Sequence, residues 1–142
     1  IFRIMRQFKQ ITLIILLLTV CQTISAQNIQ APKAYMFGFA ASFSDSTVYF
    51  TNIQEVDSVW VTKKKQLLAG HSNYSYQLRD FFTRERQLPN RTCVVVSSLK
   101  RKDVEKKYAK MKQMYVVKGK DKYDVRFVPE SEFHFKTVNM GE

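Results

Sequence analysis

Larger and smaller side chains alternate from position 35 to position 43, and this period of two predicts a β-strand. The odd positions, from Tyr35 to Phe43, carry mostly bulky residues and would form one face. The even positions carry mostly smaller residues, with Gly38 near the centre. Because small residues let another part of the chain approach a strand closely, we expect a further element to pack on that second face.

A turn and a returning strand follow, which is the pattern of a β-hairpin. Residues 44–46 read SDS, and residues 47–53 read TVYFTNI. Serine and aspartate favour turns, whereas β-branched and aromatic residues favour strands. The shorter segment at 57–62, DSVWVT, is a candidate for a third strand.

Two later segments repeat their apolar residues with helical spacing. The first can be capped by Ser72 or Asn73 and would end before Pro89, and the second would begin near Arg101. The expected buried faces are Tyr74, Leu78, Phe81 and Phe82 in the first helix and Val104, Tyr108, Met111 and Tyr115 in the second.

Three further segments are expected to be extended. The run TCVVVSS at 92–98 has no polar residue in its middle, which is typical of a central strand covered on both faces. Residues 123–128 alternate and predict a strand that Pro129 ends. Residues 132–138 would form a last strand or an ordered tail.

The order of elements is therefore strand, strand, strand, helix, strand, helix, strand. The hairpin requires antiparallel pairing, whereas helices between strands act as crossovers that favour parallel pairing. We predict one α/β or α+β domain over 35–138, with a single mixed sheet of about four to six strands, two packed helices and a tail at 139–142. A ferredoxin-like arrangement with fully antiparallel pairing is the alternative.

The first 26 residues have the three-part layout of a secretory signal peptide. A short basic segment at 5–10 precedes an uncharged, mostly apolar run at 11–21, and the small residues Ser25 and Ala26 follow. Eleven helical residues extend about 16 Å, less than the ~30 Å hydrocarbon core of a bilayer. The layout predicts export, with cleavage after Ala26 and a periplasmic or secreted product.

Two alternatives concern this leader. It could stay attached as a short membrane anchor. It could also be lipidated at Cys21, because LTVC at 18–21 resembles a lipobox, although Val20 stands where such motifs usually carry glycine or alanine. Lipidation would make the protein an outer-membrane lipoprotein.

Cleavage would leave 116 residues with 20 lysines or arginines against 12 acidic residues, a net charge of +8. Residues 27–34 would form a flexible leader before the first strand. Cys93 would be the remaining cysteine, so no internal disulfide could form and the hydrophobic core must stabilise the domain. A chain of this length can bury enough surface for that, and its aromatic content argues against disorder.

A strongly basic segment follows the strand at 92–98. Its candidate anion-binding residues are Lys100, Arg101, Lys102, Lys106, Lys107 and Lys110. Backbone N–H groups at a helix N-terminus can hold an anion, and two serines stand just before this helix. The turn has no glycine, however, and Asp103 and Glu105 would themselves satisfy the positive helix end. A capped helix with a solvated lysine face is the alternative interpretation.

The positive charge would attract anionic glycans, lipid headgroups or nucleic acid. Nucleic acid is the least favoured of these, because no aromatic residue stands among the exposed lysines as a platform for base stacking. An exported protein also meets little nucleic acid. Solubility alone is the other explanation of the charge.

Residue types that often act in catalysis are isolated from one another in the sequence. His71 and His134 each stand alone, so no clustered metal ligands are indicated, and no cofactor is expected. Cys93 lies inside an apolar run and is expected to be a small packing residue. A Cys–His nucleophile pair assembled by the fold would be needed for an enzyme using Cys93 or His71.

Several stretches carry a resemblance: SAQ at 25–27, SNYSYQLRDFF at 72–82, NRTCVVV at 90–96 and DVEKKYAKM at 103–111. With these stretches the chain resembles small uncharacterised exported proteins of Bacteroidales-type bacteria. The resemblance covers most of the chain after the leader. It implies a periplasmic or surface location and no particular activity.

Bacteria of this type O-glycosylate exported proteins at Asp-Ser or Asp-Thr followed by an apolar residue or threonine. The resemblance therefore implies candidate glycosylation at Ser46, within DST at 45–47, and at Ser58, within DSV at 57–59. Ser46 is the better candidate because it lies in a predicted turn.

These observations favour an exported, non-catalytic binding or accessory domain of the bacterial envelope that acts through contacts with another protein. The first alternative is a polyanion or membrane-surface binder that uses the basic helix at 100–112. The second is an enzyme that uses Cys93 or His71.

Overall fold

The structure is a computed structural model that describes residues 2–22 and 27–141. Helix α1 (Phe2–Gln22) contains the basic segment and the apolar run of the N-terminus. The predicted cleavage site at Ala26 lies outside the described residues, and so does the side chain of Cys21. In these described parts of the chain, no helix is both long enough and apolar enough to cross a membrane.

One mixed sheet with helices packed on it forms the rest of the chain, which confirms the predicted class. In chain order its elements are β1 (Asn28–Ala41), β2 (Thr47–Thr51), β3 (Gln54–Thr62), α2 (His71–Arg84), β4 (Thr92–Ser98), α3 (Arg101–Lys112), a π-helix (Gln113–Lys118) and β5 (Asp124–Val128). Strands β2, β3 and β4 are antiparallel to β1, whereas β5 is parallel to β2. The fully antiparallel alternative is therefore wrong.

Strand β1 organises the sheet, because β2 and β3 run one after the other along the same edge of it. Phe39 is opposite Phe50, and Met36 is opposite Gln54. Between these two pairs β1 advances three residues while its partner advances four, which is the count of a β-bulge. The predicted hairpin is confirmed; its returning strand, β2, ends at Thr51, and β3 continues along the same edge of β1 after the bulge.

Two predictions about the ends of this region are wrong. Residues 28–34, expected to be a flexible leader, form the first half of β1 and pair with β3. Phe43, expected to be part of the strand on the same face as Tyr35, lies beyond the end of β1 with its side chain fully exposed.

Strand β4 was expected to be central and covered on both faces, and this is also wrong. Among the described strands it pairs with β1 alone, so its other edge is free of strand partners. Val95 is buried, whereas Val94 is 43% exposed. An apolar run fits either a central strand or an edge strand, so composition alone could not decide.

The two predicted helices cover opposite faces of the sheet. Helix α2 packs on the face of β1 that holds Met36 and Ala40, and α3 packs on the face that holds Phe37 and Phe39. All four residues predicted to form the inner face of α2 are buried. The connection from β3 through α2 to β4 crosses the sheet in one direction, and the connection from β4 through α3 to β5 crosses it in the other. Because both crossovers have the same handedness, their helices must lie on opposite faces of the sheet.

The sequence predicts that a further element approaches the face of β1 that holds Gly38. In the structure this element is α2, since a Cβ atom at Gly38 would collide with Cδ2 of Leu78. We expect Gly38→Ala to lower the free energy of unfolding by about 1–3 kcal/mol, the usual cost of overpacking a core. Urea denaturation measures this directly. Ala40→Gly on the same face is the comparison, because it removes a methyl group without a collision. A Gly38→Ala variant as stable as the parent would contradict the proposed contact.

The C-terminal residues 129–141 form an ordered tail without a strand, one of the two predicted outcomes. Two glutamine side chains bind its backbone. Gln54 donates to the Phe133 carbonyl and accepts from the Phe135 N–H, both at 2.8 Å. Gln77 donates to the Lys136 carbonyl and accepts from the Lys136 N–H, also at 2.8 Å. Side-chain amides thus satisfy peptide groups that have no sheet partner.

Candidate functional site

Helix α3 presents a row of lysines on the side opposite its buried face. Lys102, Lys106 and Lys110 follow each other at intervals of four residues, and all three are exposed. A spacing of four places side chains above one another on a helix, so they form one stripe. The opposite side of α3 is held against the sheet by buried Val104 and half-buried Tyr108. We call the three residues the lysine stripe.

The three residues of the lysine stripe have no ion-pair partner among the described residues, and the same is true of the neighbouring Lys100, Lys107 and Lys112. Arg101 is paired with Glu105, with 2.9 Å between guanidinium Nε and carboxylate oxygen. The ammonium group of Lys112 lies over the rings of Tyr108 and Phe127, at 5.3 and 5.2 Å from their centroids. The stripe is therefore positive charge that the fold itself does not neutralise.

At the N-terminus of α3, polar groups considered for an anion site make local contacts, and anion binding there stays a prediction. The Ser98 hydroxyl accepts the Lys100 N–H at 3.1 Å and lies 3.4 Å from a carboxylate oxygen of Asp103. The serine and the first-turn acid are therefore occupied with local contacts. Among the six candidate cations, Lys102, Lys106 and Lys110 form the stripe, whereas Lys100 and Lys107 lie outside it and Arg101 is paired.

Exposed apolar side chains continue beyond the C-terminal end of the stripe. Met114 and Val117 of the π-helix are 51% and 61% exposed. Phe43 lies at the same end of the sheet, since the neighbouring Ser46 carbonyl accepts the Asp124 N–H at 3.0 Å. We call Phe43, Met114 and Val117 the apolar tip.

The sequence did not reveal the apolar tip. The signal was present in MYVVKGKDKY at 114–123, where apolar residues adjoin Lys118, Lys120 and Lys122. All three lysines are exposed. Three exposed lysines thus follow closely in sequence after the exposed apolar side chains of the π-helix.

Each histidine contacts a local acceptor group. Nε2 of His71 lies 2.7 Å from the Val95 carbonyl oxygen. Nε2 of His134 lies 3.1 Å from a carboxylate oxygen of Glu130, on an exposed turn. Within the described residues, no group of three or more His, Cys, Asp or Glu side chains is placed to hold a metal ion.

Cys93 is half-buried beside a cavity of about 490 Å³ between α2 and β4. Burial raises the pKa of the Cys93 thiol to about 11, although the nearby cations Arg79 and Arg91 act in the opposite direction. The thiol is therefore protonated at neutral pH, whereas a nucleophile must be a thiolate.

We expect Cys93 to react slowly with thiol reagents. At pH 7.5 its thiolate fraction should be about 300-fold below that of an ordinary cysteine with a pKa of about 8.5, because a higher pKa leaves less thiolate. The rate of alkylation by iodoacetamide, followed by mass spectrometry with a Cys93→Ser control, measures this. The rate should rise with pH up to about 11. Modification at the rate of a free cysteine peptide would contradict this expectation.

The two candidate glycosylation serines lie in different surroundings. Ser46 is exposed in the β1–β2 turn. Ser58 is also exposed, but it lies within β3 with a backbone φ of 55°. Ser46 remains the more accessible of the two, and glycosylation of either serine stays a prediction.

The chain matches no protein-family model, no curated protein and no solved structure. The functional argument therefore rests on the residues and their geometry.

Proposed function

We propose that this protein is an exported, non-catalytic binding domain of the bacterial envelope whose basic helix docks on an anionic lipid surface. The observation that carries the proposal is the lysine stripe: Lys102, Lys106 and Lys110 are exposed, aligned and without ion-pair partners among the described residues. A lysine near an anionic membrane contributes about 1 kcal/mol of binding free energy. Three aligned lysines can therefore hold a domain reversibly.

The apolar tip favours a membrane over a soluble polyanion. A dissolved acidic polysaccharide offers charge but no apolar phase. At a bilayer surface, cations bind the headgroups while apolar side chains enter the boundary with the acyl chains. Val117 and Met114 directly continue the helix that carries the stripe, and they are followed by Lys118. This order of side chains suits an interface better than either water or a packed core.

A catalytic role has less support from the same residues. The raised pKa of Cys93 opposes nucleophilic attack. His71 is engaged with a backbone carbonyl. Binding is therefore the function that the arrangement of side chains favours.

Charge reversal tests the proposal. We expect Lys102→Glu/Lys106→Glu/Lys110→Glu to weaken binding to vesicles of phosphatidylglycerol and phosphatidylcholine by about 100-fold or more. The matched control is Lys63→Glu/Lys64→Glu/Lys65→Glu, which makes the same charge change in the exposed loop after β3. All variants carry the same N-terminal segment, so its contribution to vesicle binding cancels. Sedimentation of the protein with the vesicles measures each affinity.

The outcomes distinguish binding to a membrane, binding to a soluble polyanion and a nonspecific effect of net charge. Parent binding should fall steeply between about 0.05 and 0.5 M salt, because screening weakens exposed charges. Val117→Ser should weaken vesicle binding and leave binding to soluble alginate unchanged. Equal losses in the two charge-reversed proteins would show that only net charge matters, and the proposal would then be wrong.

A further inference from the structure

One edge of β4 has no strand partner among residues 2–22 and 27–141, and it lacks the usual protection. Exposed edges of sheets are normally guarded by charged residues, proline or a bulge. The opposite edge strand, β5, carries Asp124 and Arg126 and is followed by Pro129. Thr92–Ser98 contains no charge, no proline and no glycine. The contrast within one sheet suggests that the β4 edge is kept open for pairing.

The direction of the backbone groups in β4 can be read from two hydrogen bonds. Val95 is opposite Gly38, and the Gly38 N–H donates to Thr51 Oγ1, away from β4, at 2.8 Å. Val95 and Gly38 are therefore a non-hydrogen-bonded pair, in which the N–H and C=O groups of each residue point away from the other strand. The Val95 carbonyl therefore points away from β1, beyond the free edge of β4, where it lies 2.7 Å from Nε2 of His71. By the same alternation, the backbone groups of Cys93 and Ser97 also point outward.

His71 lies where the backbone of an additional strand would run. Among the described residues, the Val95 carbonyl is the only outward backbone group of β4 that has a hydrogen-bond partner. The imidazole thus competes with any incoming strand for one carbonyl. The outward N–H groups of Cys93, Val95 and Ser97 remain available.

Two cavities flank this edge, on either side of His71. One, of about 490 Å³, lies beside Thr92 and Cys93 and is lined by Arg79 of α2. The other, of about 450 Å³, lies beside Val96 and is lined by Leu67, Leu68 and Lys107. Alternate side chains of an added strand would point into such cavities.

The charges at the edge define the partner. Arg79 lines the first cavity and Lys107 the second, and no acidic residue of the described part of the chain lines either cavity. A second copy of this chain, paired β4 to β4, would bring the same cations face to face. An acidic peptide would meet complementary charge.

We propose that the free edge of β4 binds an extended acidic segment of another protein as an additional strand. Its backbone pairs with the outward groups of Cys93, Val95 and Ser97. Acidic side chains approach Arg79 and Lys107, and an apolar side chain enters the cavity beside Leu68. The incoming strand displaces His71 from the Val95 carbonyl. This surface is separate from the lysine stripe and does not depend on membrane binding.

The probe is an acetylated and amidated heptapeptide of glutamate and valine with glutamates on both faces of the extended strand, because Arg79 and Lys107 lie on opposite faces of the sheet. We expect saturable binding with chemical-shift changes at the amides of Cys93, Val95 and Ser97, and about tenfold weaker binding of the lysine–valine counterpart. Methylation of the peptide nitrogens that would face β4 should abolish binding, because it removes the backbone donors of the added strand without changing the protein. Binding that tolerates this methylation, or that prefers the cationic peptide, would overturn the proposal.

Protein variants give effects of both signs. Lys107→Glu should weaken binding about tenfold through charge repulsion. Ser97→Pro should also weaken it, since proline removes an outward donor while leaving the bonds to β1 intact. His71→Ala should strengthen binding about threefold or more, because it removes the competitor for the Val95 carbonyl. Unchanged or weaker binding by His71→Ala would contradict the displacement step. A dimer in solution that Ser97→Pro disrupts would show instead that the edge serves self-association.

Discussion

Replacing Gln54 by alanine should lower the free energy of unfolding by about 3 kcal/mol, because it leaves buried tail peptide groups unpaired. The Gln54 amide is buried and bonds both the Phe133 carbonyl and the Phe135 N–H. Each unsatisfied buried group costs about 1–3 kcal/mol. Equilibrium denaturation followed by circular dichroism measures the change.

Gln77 supplies a matched control for Gln54. It makes a comparable pair of hydrogen bonds to the tail, both to Lys136 and both at 2.8 Å, but its side chain is only half-buried and these bonds are exposed to solvent. Water can replace the lost partners there, so Gln77→Ala should cost about 0.5–1 kcal/mol. Equal effects of the two substitutions would contradict the view that burial makes the Gln54 contacts important.

Asp45→Asn should destabilise the protein by about 3 kcal/mol, since it removes the counter-charge of a buried arginine. The side chain of Arg91 is 3% exposed, and its Nη2 lies 2.6 Å from a carboxylate oxygen of Asp45. Its Nη1 donates to the Thr47 carbonyl at 2.9 Å. The guanidinium also lies 5.0 Å from the centre of the Tyr49 ring. Thermal unfolding and urea denaturation both report the effect.

The relative stabilities of three variants show whether the buried charge of Arg91 or its contacts matter more. Arg91→Met should be less destabilising than Asp45→Asn, because methionine leaves no unpaired charge. The double variant should resemble Arg91→Met alone, since Asp45 then has no cation to neutralise. If Arg91→Met is the more destabilising single change, the packing and hydrogen bonds of the guanidinium matter more than its charge.

The parts of the fold that the sequence predicted best are those with a strong local period. The helical spacing of Tyr74, Leu78 and Phe82 gave the inner face of α2, and the alternation around Gly38 gave the two faces of β1. Both patterns are local and need no knowledge of the partner. The mixed sheet followed from them because helices between strands make crossovers.

The start of β1 could not be predicted because its stabilising contacts are distant in sequence. Pro32 lies within residues 28–34 and argues against a strand, since it has no N–H to donate. In the structure Ala31 pairs with Val59 and Lys33 with Asp57, while Pro32 and its neighbour across the ladder are skipped. Pairing with β3 on both sides of the proline overcomes the local preference.

The candidate site was only partly predictable. The cations of α3 were visible in the sequence, and the helical spacing of Lys102, Lys106 and Lys110 implied a common side. The apolar tip was not predicted, because it combines a turn after β1 with a π-helix more than 60 residues later. The free edge of β4 was not predicted either, since strand order depends on contacts that no local pattern records.

The most direct test of membrane docking is the depth of residue 117 at an anionic bilayer. Val117→Trp and Leu67→Trp, each in a Trp60→Phe background, place a single tryptophan at sites that are 61% and 59% exposed. With phosphatidylglycerol vesicles containing lipids brominated near the headgroup end of the acyl chains, we predict blue-shifted and quenched emission from position 117 alone. Equal emission from the two positions in vesicle-bound protein would contradict insertion of the apolar tip and the proposed membrane orientation.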